Sequence, residues 1–389
     1  MQAKKTLLAI ALGVAAQGAY ADFISEGDLY ADTKLRFESA DVDDPTDART
    51  ANALIADVAI GYETKEFSGF KILAEYEVVE AMRDHYAPET AGYDLVADPE
   101  VREWNRAQIS YAKDGLSAVV GRQRIILDNA RFVGNVGWRA NEQTFDAVTL
   151  GYKIGDLTAQ YSYIDQVNGI VRNFDADVTD HLLNISYGTA VGKATAYAYL
   201  LEDDDSEKTD DTVGARFSGK TKVSDGVSVL YTGEYAIQSV ETADGTENEA
   251  AYMLLEAGAS FSGVTLALGN ETLGSDDGEY GFQTSLATKH AFNGWADQFL
   301  GTPKVGLNDM YVKAAGAISG VKVAAFYHKY DSVEDSLDLG SEFNIVATTK
   351  VAKKFTVGAK AAMYSATDDS EDLKKFDTTK FWLWAGTKF

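Results

Sequence analysis

The 389-residue sequence contains no cysteine, only 4 prolines, and 35 basic side chains against 60 acidic ones. Without cysteine there is no disulfide framework and no thiolate metal site. The formal charge of −25, with nothing resembling a basic stripe, excludes nucleic acid as a partner. No run of twenty apolar residues follows the N-terminal segment, so no membrane-spanning helix is encoded. There is no Walker or dinucleotide-binding fingerprint. The four histidines, His85, His181, His290 and His328, lack metal-ligand spacing, so no cofactor and no metal is expected. An enzyme of the Ser–His–acid kind would need a nucleophile signature that is missing, and the chain reads as a non-enzyme. What is abundant is aromatic: 21 tyrosines and 18 phenylalanines, too many for a disordered acidic chain. The charge therefore sits on something folded.

Residues 1–21 read as a signal peptide: Lys4 and Lys5, an apolar run over 7–16, then Ala19, Tyr20 and Ala21 before Asp22. That run is too short to cross a bilayer as a helix. Removing two lysines and no acid takes the charge from −25 to −27. An exported chain of this size without disulfides must draw its stability from an extensive backbone hydrogen-bond network.

Period 2 dominates residues 22–389. Leu29, Ala31, Thr33, Leu35 and Phe37 share one face, with Tyr30, Asp32, Lys34, Arg36 and Glu38 on the other. The same alternation sets Phe70, Ile72, Ala74, Tyr76 and Val78 against Lys71, Glu75 and Glu77, and Val357, Ala359, Ala361 and Met363 against Thr356 and Lys360. Short connections with turn chemistry (Ser68 and Gly69, Asp114 and Gly115, Gly155 and Asp156, Ser262 and Gly263, Ser319 and Gly320) alternate with long acidic ones such as 40–51, 202–211 and 365–378. All four prolines, Pro45, Pro88, Pro99 and Pro303, fall in long connections, where no ladder N–H is lost. Two loop classes in alternation mean two different sides. The expected fold is all-β, a transmembrane antiparallel up-and-down β-barrel of about 18 strands in one domain. The closing residues 381–389 put Phe381, Leu383, Ala385, Thr387 and Phe389 on one face. A barrel strand ending in an aromatic resembles the signal read by the outer-membrane barrel-assembly machinery, with Phe389 as its terminus.

A barrel of about 16–18 strands leaves an aqueous channel whose selectivity rests on inward residues and infolded loops. Arg122, Arg124, Arg131 and Arg139 lie close together, with Arg106 on the preceding strand and Arg36 on the polar face of the first. They read as an anion-attracting wall, since guanidinium forks onto carboxylates, or as internal pairs with Asp128, Glu142 and Asp146, and the two can coexist. In the second long segment Phe292, Trp295, Phe299 and Leu300 fall at i, i+3, i+7 and i+8, which predicts a short helix ended by Gly301 and Pro303. Its apolar stripe is expected to pack into the barrel mouth as a constriction, with Lys289, His290 and Lys304 adding positive field. The acidic clusters around Asp203 and Asp276 lack a calcium-loop pattern and read as solvated outer loops.

The segments GRQRIILDNARFVGNVGWRANEQTFDAV and TKHAFNGWADQFLGTPKVGLNDMYV resemble the alginate-export family of outer-membrane porins. That resemblance implies an 18-stranded barrel with an arginine-rich channel for an anionic polyuronate. Carried onto this chain, it makes Arg122, Arg124, Arg131 and Arg139 candidates for a basic constriction. The expected function is a bacterial outer-membrane channel for passive passage of small hydrophilic solutes, favouring acidic sugar-like ones. Alternatives are polyuronate export, and beyond it an adhesion barrel or a barrel enzyme. Membrane lipid, lipopolysaccharide and the assembly machinery are the expected partners.

Overall fold

Alternation gives each segment one face for lipid and one for water, and the chain resolves this as 18 antiparallel strands in a single sheet. The computed structural model describes residues 26–46 and 48–389, and the proposed signal peptide over 1–21 lies outside the described residues. The first half of the wall is β1 (Asp28–Val42), β2 (Ala51–Glu63), β3 (Phe70–His85), β4 (Val101–Lys113), β5 (Leu116–Gln123), β6 (Thr144–Ile154), β7 (Leu157–Asn168), β8 (Ala176–Thr189) and β9 (Gly192–Asp203). It continues through β10 (Lys208–Ser224), β11 (Val227–Glu241), β12 (Glu247–Phe261) and β13 (Val264–Leu273). A two-stranded hairpin, β14 (Ser275–Asp276) and β15 (Tyr280–Gly281), stands apart, and the wall ends with β16 (Leu307–Ile318), β17 (Val321–Asp331), β18 (Asp338–Val351), β19 (Phe355–Ser365) and β20 (Thr378–Lys388). β20 pairs back on β1, from Asp32 opposite Lys388 to Val42 opposite Thr378. The sheet is thereby closed, which leaves no row of unpaired N–H and C=O groups to face hydrocarbon. Among the described residues no helix is long and apolar enough to cross a membrane.

One end of the barrel is built from tight turns. Asp114 and Gly115, Ser262 and Gly263, and Ser319 and Gly320 each connect strands with positive φ at both central residues, 52° and 85° in the first case. That is the two-residue turn whose twist matches the strands it joins. The other end carries the longer connections, and two of these turn inward: L3 (residues 124–143) and L7 (residues 274–306). The 202–211 stretch expected as a loop is mostly strand. Glu202 pairs with Thr209 and Leu201 with Asp210, so only residues 204–207 project.

Exposed apolar side chains mark the outer face: Leu35, Ile60, Leu150, Val213, Leu268, Val312 and Leu383 among them. Phe70, Tyr152, Tyr187, Phe261, Phe355 and Phe389 ring the turn end, and Tyr76, Trp104, Tyr161, Tyr235, Tyr327 and Phe343 lie further toward the loop end. These are the two girdles that membrane interfaces favour. Phe389 donates its N–H to the Ala31 carbonyl at 2.9 Å, joining the end of the chain to the first strand. Charges populate the inner face instead, with Arg36, Glu38, Glu75, Glu77, Glu234, Glu271 and Glu342 all buried.

Leu268, near the middle of β13, is 56% exposed on the outer face. Leu268→Arg is expected to destabilise the barrel by roughly 2–4 kcal/mol, as for a cation at the bilayer midplane. Unfolding titrations in lipid bilayers check this, and a loss near zero would mean that this face does not meet hydrocarbon.

Candidate functional site

L3 and L7 meet inside the barrel and are sewn together by backbone. Val133 bridges Leu286, the Gly134 N–H donates to the Leu286 carbonyl at 2.9 Å, and the Thr288 N–H donates to the Ala130 carbonyl at 3.0 Å. The Gln143 amide adds a bond to the Leu286 carbonyl at 3.1 Å. Apolar side chains of both loops (Phe132, Val133, Phe282, Leu286, Phe299) are buried against Tyr197, Tyr199, Tyr252, Tyr330 and Tyr364 of the wall. Tyr197 and Tyr199 of β9 thus point inward. The lumen is filled over part of its section by a packed core.

The apolar residues of L7 do not form the expected helix. Only a single 3-10 turn, Lys289–Ala291, precedes them, and Asn293, Gly294 and Asp297 take positive φ of 53°, 88° and 65°. The i, i+3, i+7 spacing is therefore distributed among separate partners. Phe292 lies under the Arg131 guanidinium at 4.8 Å, Trp295 sits against Phe326 at 5.4 Å, and Phe299 against Tyr330 at 4.6 Å. A Cβ on Gly294 would come within 2.4 Å of the Tyr330 hydroxyl, so only glycine lets this backbone approach the wall. There the Trp295 and Ala296 N–H groups both donate to Glu342, at 2.5 and 2.8 Å.

Each candidate arginine is engaged by a carboxylate. Arg106 forks onto Glu75 at 2.6 and 2.9 Å, Arg122 onto Asp146 at 2.7 and 3.2 Å, and Arg124 onto Glu142 at 2.6 and 2.7 Å. Arg131 reaches Glu271 of β13 at 2.7 Å and Asn293 of L7 at 2.9 Å. Arg139 contacts Glu38 at 3.0 Å, Asp98 at 3.4 Å and Asp297 at 3.2 Å, joining four segments. Arg36 pairs with Asp98 and donates to the Trp138 carbonyl. Internal pairing is thus what the geometry shows, as a guanidinium taken out of water needs a counter-charge. Asp128 does not serve them; it holds Lys193 at 2.7 Å. Lys304 stands exposed on the loop surface, 3.6 Å from Glu279, and does not join the interior cations.

Trp138 of L3 is the centre of a socket that sequence reasoning did not single out. Its ring stacks on His290 at 5.1 Å, meets Trp382 and Trp384 edge-on at 5.8 and 5.5 Å, and lies 4.0 Å from the Lys360 ammonium. Lys360 also lies 4.0 Å from the Trp295 ring, so one wall cation clasps both loops. His290 Nδ1 is 2.5 Å from Asp297, and Nε2 is 2.6 Å from Lys360. A neutral imidazole satisfies both, donating from Nδ1 and accepting from the ammonium at Nε2. Burial, with Lys360 and Arg139 close by, pushes His290 down to about 3 despite Asp297 beside it. Burial alone would raise the Asp297 carboxyl, but the His290 hydrogen bond and the cations Lys380 and Arg139 hold it well below the usual range.

On the loop side of this seam lies a cavity of about 590 Å³ between β7, β8, β9, β10 and the two loops. Its lining mixes apolar groups (Val178, Leu201, Leu286) with Asp180, Asp210, Arg139 and Lys289. The Lys289 ammonium makes no hydrogen bond or ion pair among the described residues, and burial beside Arg131 lowers it from the ordinary lysine range. No local pattern marks Asp180 or Asp210 in the sequence, and Asp210 falls in the polar 202–211 stretch that reads as loop but pairs as strand.

No protein-family model matches the chain, and no curated protein sequence matches it. Solved structures do. OccAB1 of Acinetobacter baumannii superposes with a TM-score of 0.74 at 11% identity, covering 95% of this chain and 98% of that one. OccAB3 of the same organism gives 0.71 at 13% identity, covering 94% and 100%. OccK9 (OpdG) of Pseudomonas aeruginosa gives 0.71 at 11%, covering 94% and 99%. The fold is that of these Occ and Opd barrels. These likenesses support an outer-membrane porin fold and give no support to the alginate-export resemblance drawn from the two loop segments.

The His290 contact has a pH signature. From about 6.5 down to about 3 the unseated loop binds a proton that the seated loop refuses, so seating weakens as pH falls, by about 1.4 kcal/mol per unit. Limited proteolysis of L7 in reconstituted barrels is expected to accelerate between about pH 7 and about pH 4, and to accelerate less in His290→Gln. Equal acceleration in both would remove His290 from the account.

Proposed function

We propose that the chain is a bacterial outer-membrane porin for passive passage of small hydrophilic solutes, oriented with its tight turns in the periplasm and its long loops outside. The observation that carries this reading is a closed barrel, apolar outside and charged within, whose two infolded loops are clamped to the wall and shape a vestibule. Inward charges set against each other create a transverse field rather than a uniformly positive eyelet. Attraction of anionic, acidic sugar-like solutes therefore rests on cations with spare capacity. Lys289 is one, and the partly exposed Arg124 is another. The outer girdles are served by membrane lipid, the acidic outer loops by lipopolysaccharide with its divalent cations, and the terminal Phe389 strand by the barrel-assembly machinery. A polyuronate exporter is not favoured, since the arginines that would line a basic conduit are occupied.

Two measurements test this. Purified protein in liposomes is expected to admit neutral pentoses in a swelling assay, and no swelling from a folded barrel would overturn the channel reading. Arg124→Ala removes a cation and frees Glu142, so the reversal potential in planar bilayers should move toward cation preference. An unchanged potential would show that this pair contributes nothing to selectivity.

A further inference from the structure

We infer that the outer face of the barrel carries a seat for one anionic phospholipid at the β1–β20 junction. An acyl chain lies in a groove that crosses the junction, and the phosphate meets the turn that holds Lys353 and Lys354. The inference goes beyond the channel reading and needs only a barrel that spans a bilayer.

The groove follows from register. On the outer face Ala347 stands opposite Ala359 and Ala359 opposite Leu383, which in turn meets Phe37. One pleat nearer the tight turns the row is Thr349, Val357, Ala385 and Leu35. Three alanines in two adjacent rows lower the surface between larger neighbours. They leave a groove of about 550 Å³, bounded beyond the junction by Leu35, Phe37 and Leu54. Its lining is almost wholly apolar and faces the membrane, so only hydrocarbon suits it.

The headgroup end is set by what is missing. Residues 310–330, 343–367 and 378–389, which build most of β16 to β20, contain no aspartate or glutamate. In a chain of net charge −25, that leaves the turn end of these strands with lysine alone: Lys313, Lys322, Lys350, Lys353, Lys354 and Lys388. None of the six makes an ion pair among the described residues; Lys313 and Lys388 instead lie over Phe326 and Tyr30. Lys353 and Lys354 are exposed on the turn between Val351 and the girdle residue Phe355. The acids nearest in the sheet, Asp28 and Asp32, belong to β1 beyond β20. Lys354 precedes Val357 of the groove by three residues, roughly 10 Å of strand. At a tilt of about 40° this is about 8 Å along the membrane normal, close to the depth of the headgroup layer.

A second outer groove supplies the contrast. It covers about 690 Å³ over Ala194, Ala196 and Ala215 on β9 and β10. At the β10–β11 turn below it Lys222 is already held by Asp225 at 2.7 Å. Any acyl chain can lie there, but no headgroup is selected. At the junction groove the cations are unspent, and a phosphate that brings no ammonium of its own is the headgroup that matches them.

The test reconstitutes the full-length barrel in bilayers of equal phosphatidylcholine and phosphatidylglycerol and extracts it into mild detergent. Retained phospholipid is counted by native mass spectrometry. The parent is expected to carry one phosphatidylglycerol, retained at least about tenfold over phosphatidylcholine. Removing both turn charges in Lys353→Gln with Lys354→Gln should bring the two lipids to parity. Ala359→Leu fills the groove with the lysines intact and should lose the adduct, whereas Ala196→Leu in the second groove should keep it. Where the turn variant fails to assemble, the two groove variants still decide. Equal retention of both lipids by the parent, an undiminished preference without the lysines, or equal behaviour of the two groove variants overturns the proposal. Pentose swelling is indifferent to each of these outcomes, so the channel reading stands or falls separately.

Discussion

A guanidinium that leaves bulk water has to bring a counter-ion with it. In this barrel that requirement fixes where the loops go. Arg131 binds L3 to β13 and L7, and Arg139 binds L3 to β1, to the loop over residues 86–100, and to L7. Removing one partner from such a cluster would strand its mate, at about 3–5 kcal/mol. The same pairing that holds the loops inside also cancels most of the field they would otherwise project. Structure and selectivity therefore draw on one set of charges, and the solute encounters what is left over.

Aromatic packing supplements that scaffold. Trp138 of L3 enters a pocket formed by Trp382, Trp384 and the His290 ring, with Lys34, Arg36 and Lys360 around it. The indole gives cations an electron-rich face where a carboxylate would need its own hydration replaced. His290 fits because it remains neutral, bridging an anion on one nitrogen and a cation on the other. An infolded segment held by many modest contacts of differing kinds can keep a defined shape without a disulfide.

Much of the wall was legible in the sequence. Strand faces such as that of Arg36 and Glu38, the two-residue turns at Asp114 and Ser262, and the placement of prolines in loops follow from period 2 and turn chemistry, both local properties. What was not legible was long-range. Nothing in the chain announces that Arg139 will share Glu38, a hundred residues earlier, with Asp297, more than a hundred later. The L7 helix failed for a related reason: helical spacing among Phe292, Trp295 and Phe299 is outweighed by residues that adopt left-handed backbone to reach Glu342. Asp210 was misplaced because an acidic, polar stretch reads as loop unless its neighbour on β9 is known. The two loop segments resemble one porin family, a likeness that the superpositions, which show the fold alone, do not support.

The seam between β1 and β20 has a consequence for how the molecule is made. Its hydrogen-bonding partners are separated by some 354 positions along the chain, as for Thr33 and the Thr387 carbonyl. Neighbouring hairpins can form early and cheaply, but this junction has to wait until β20 has been made and pays the largest entropy of ring closure among the described strand pairs. Until it zips, two long naked borders are available to any other extended polypeptide. Sealing, rather than secondary-structure formation, is then the slow and vulnerable moment in biogenesis, and anything that shields those borders or hastens their meeting governs yield.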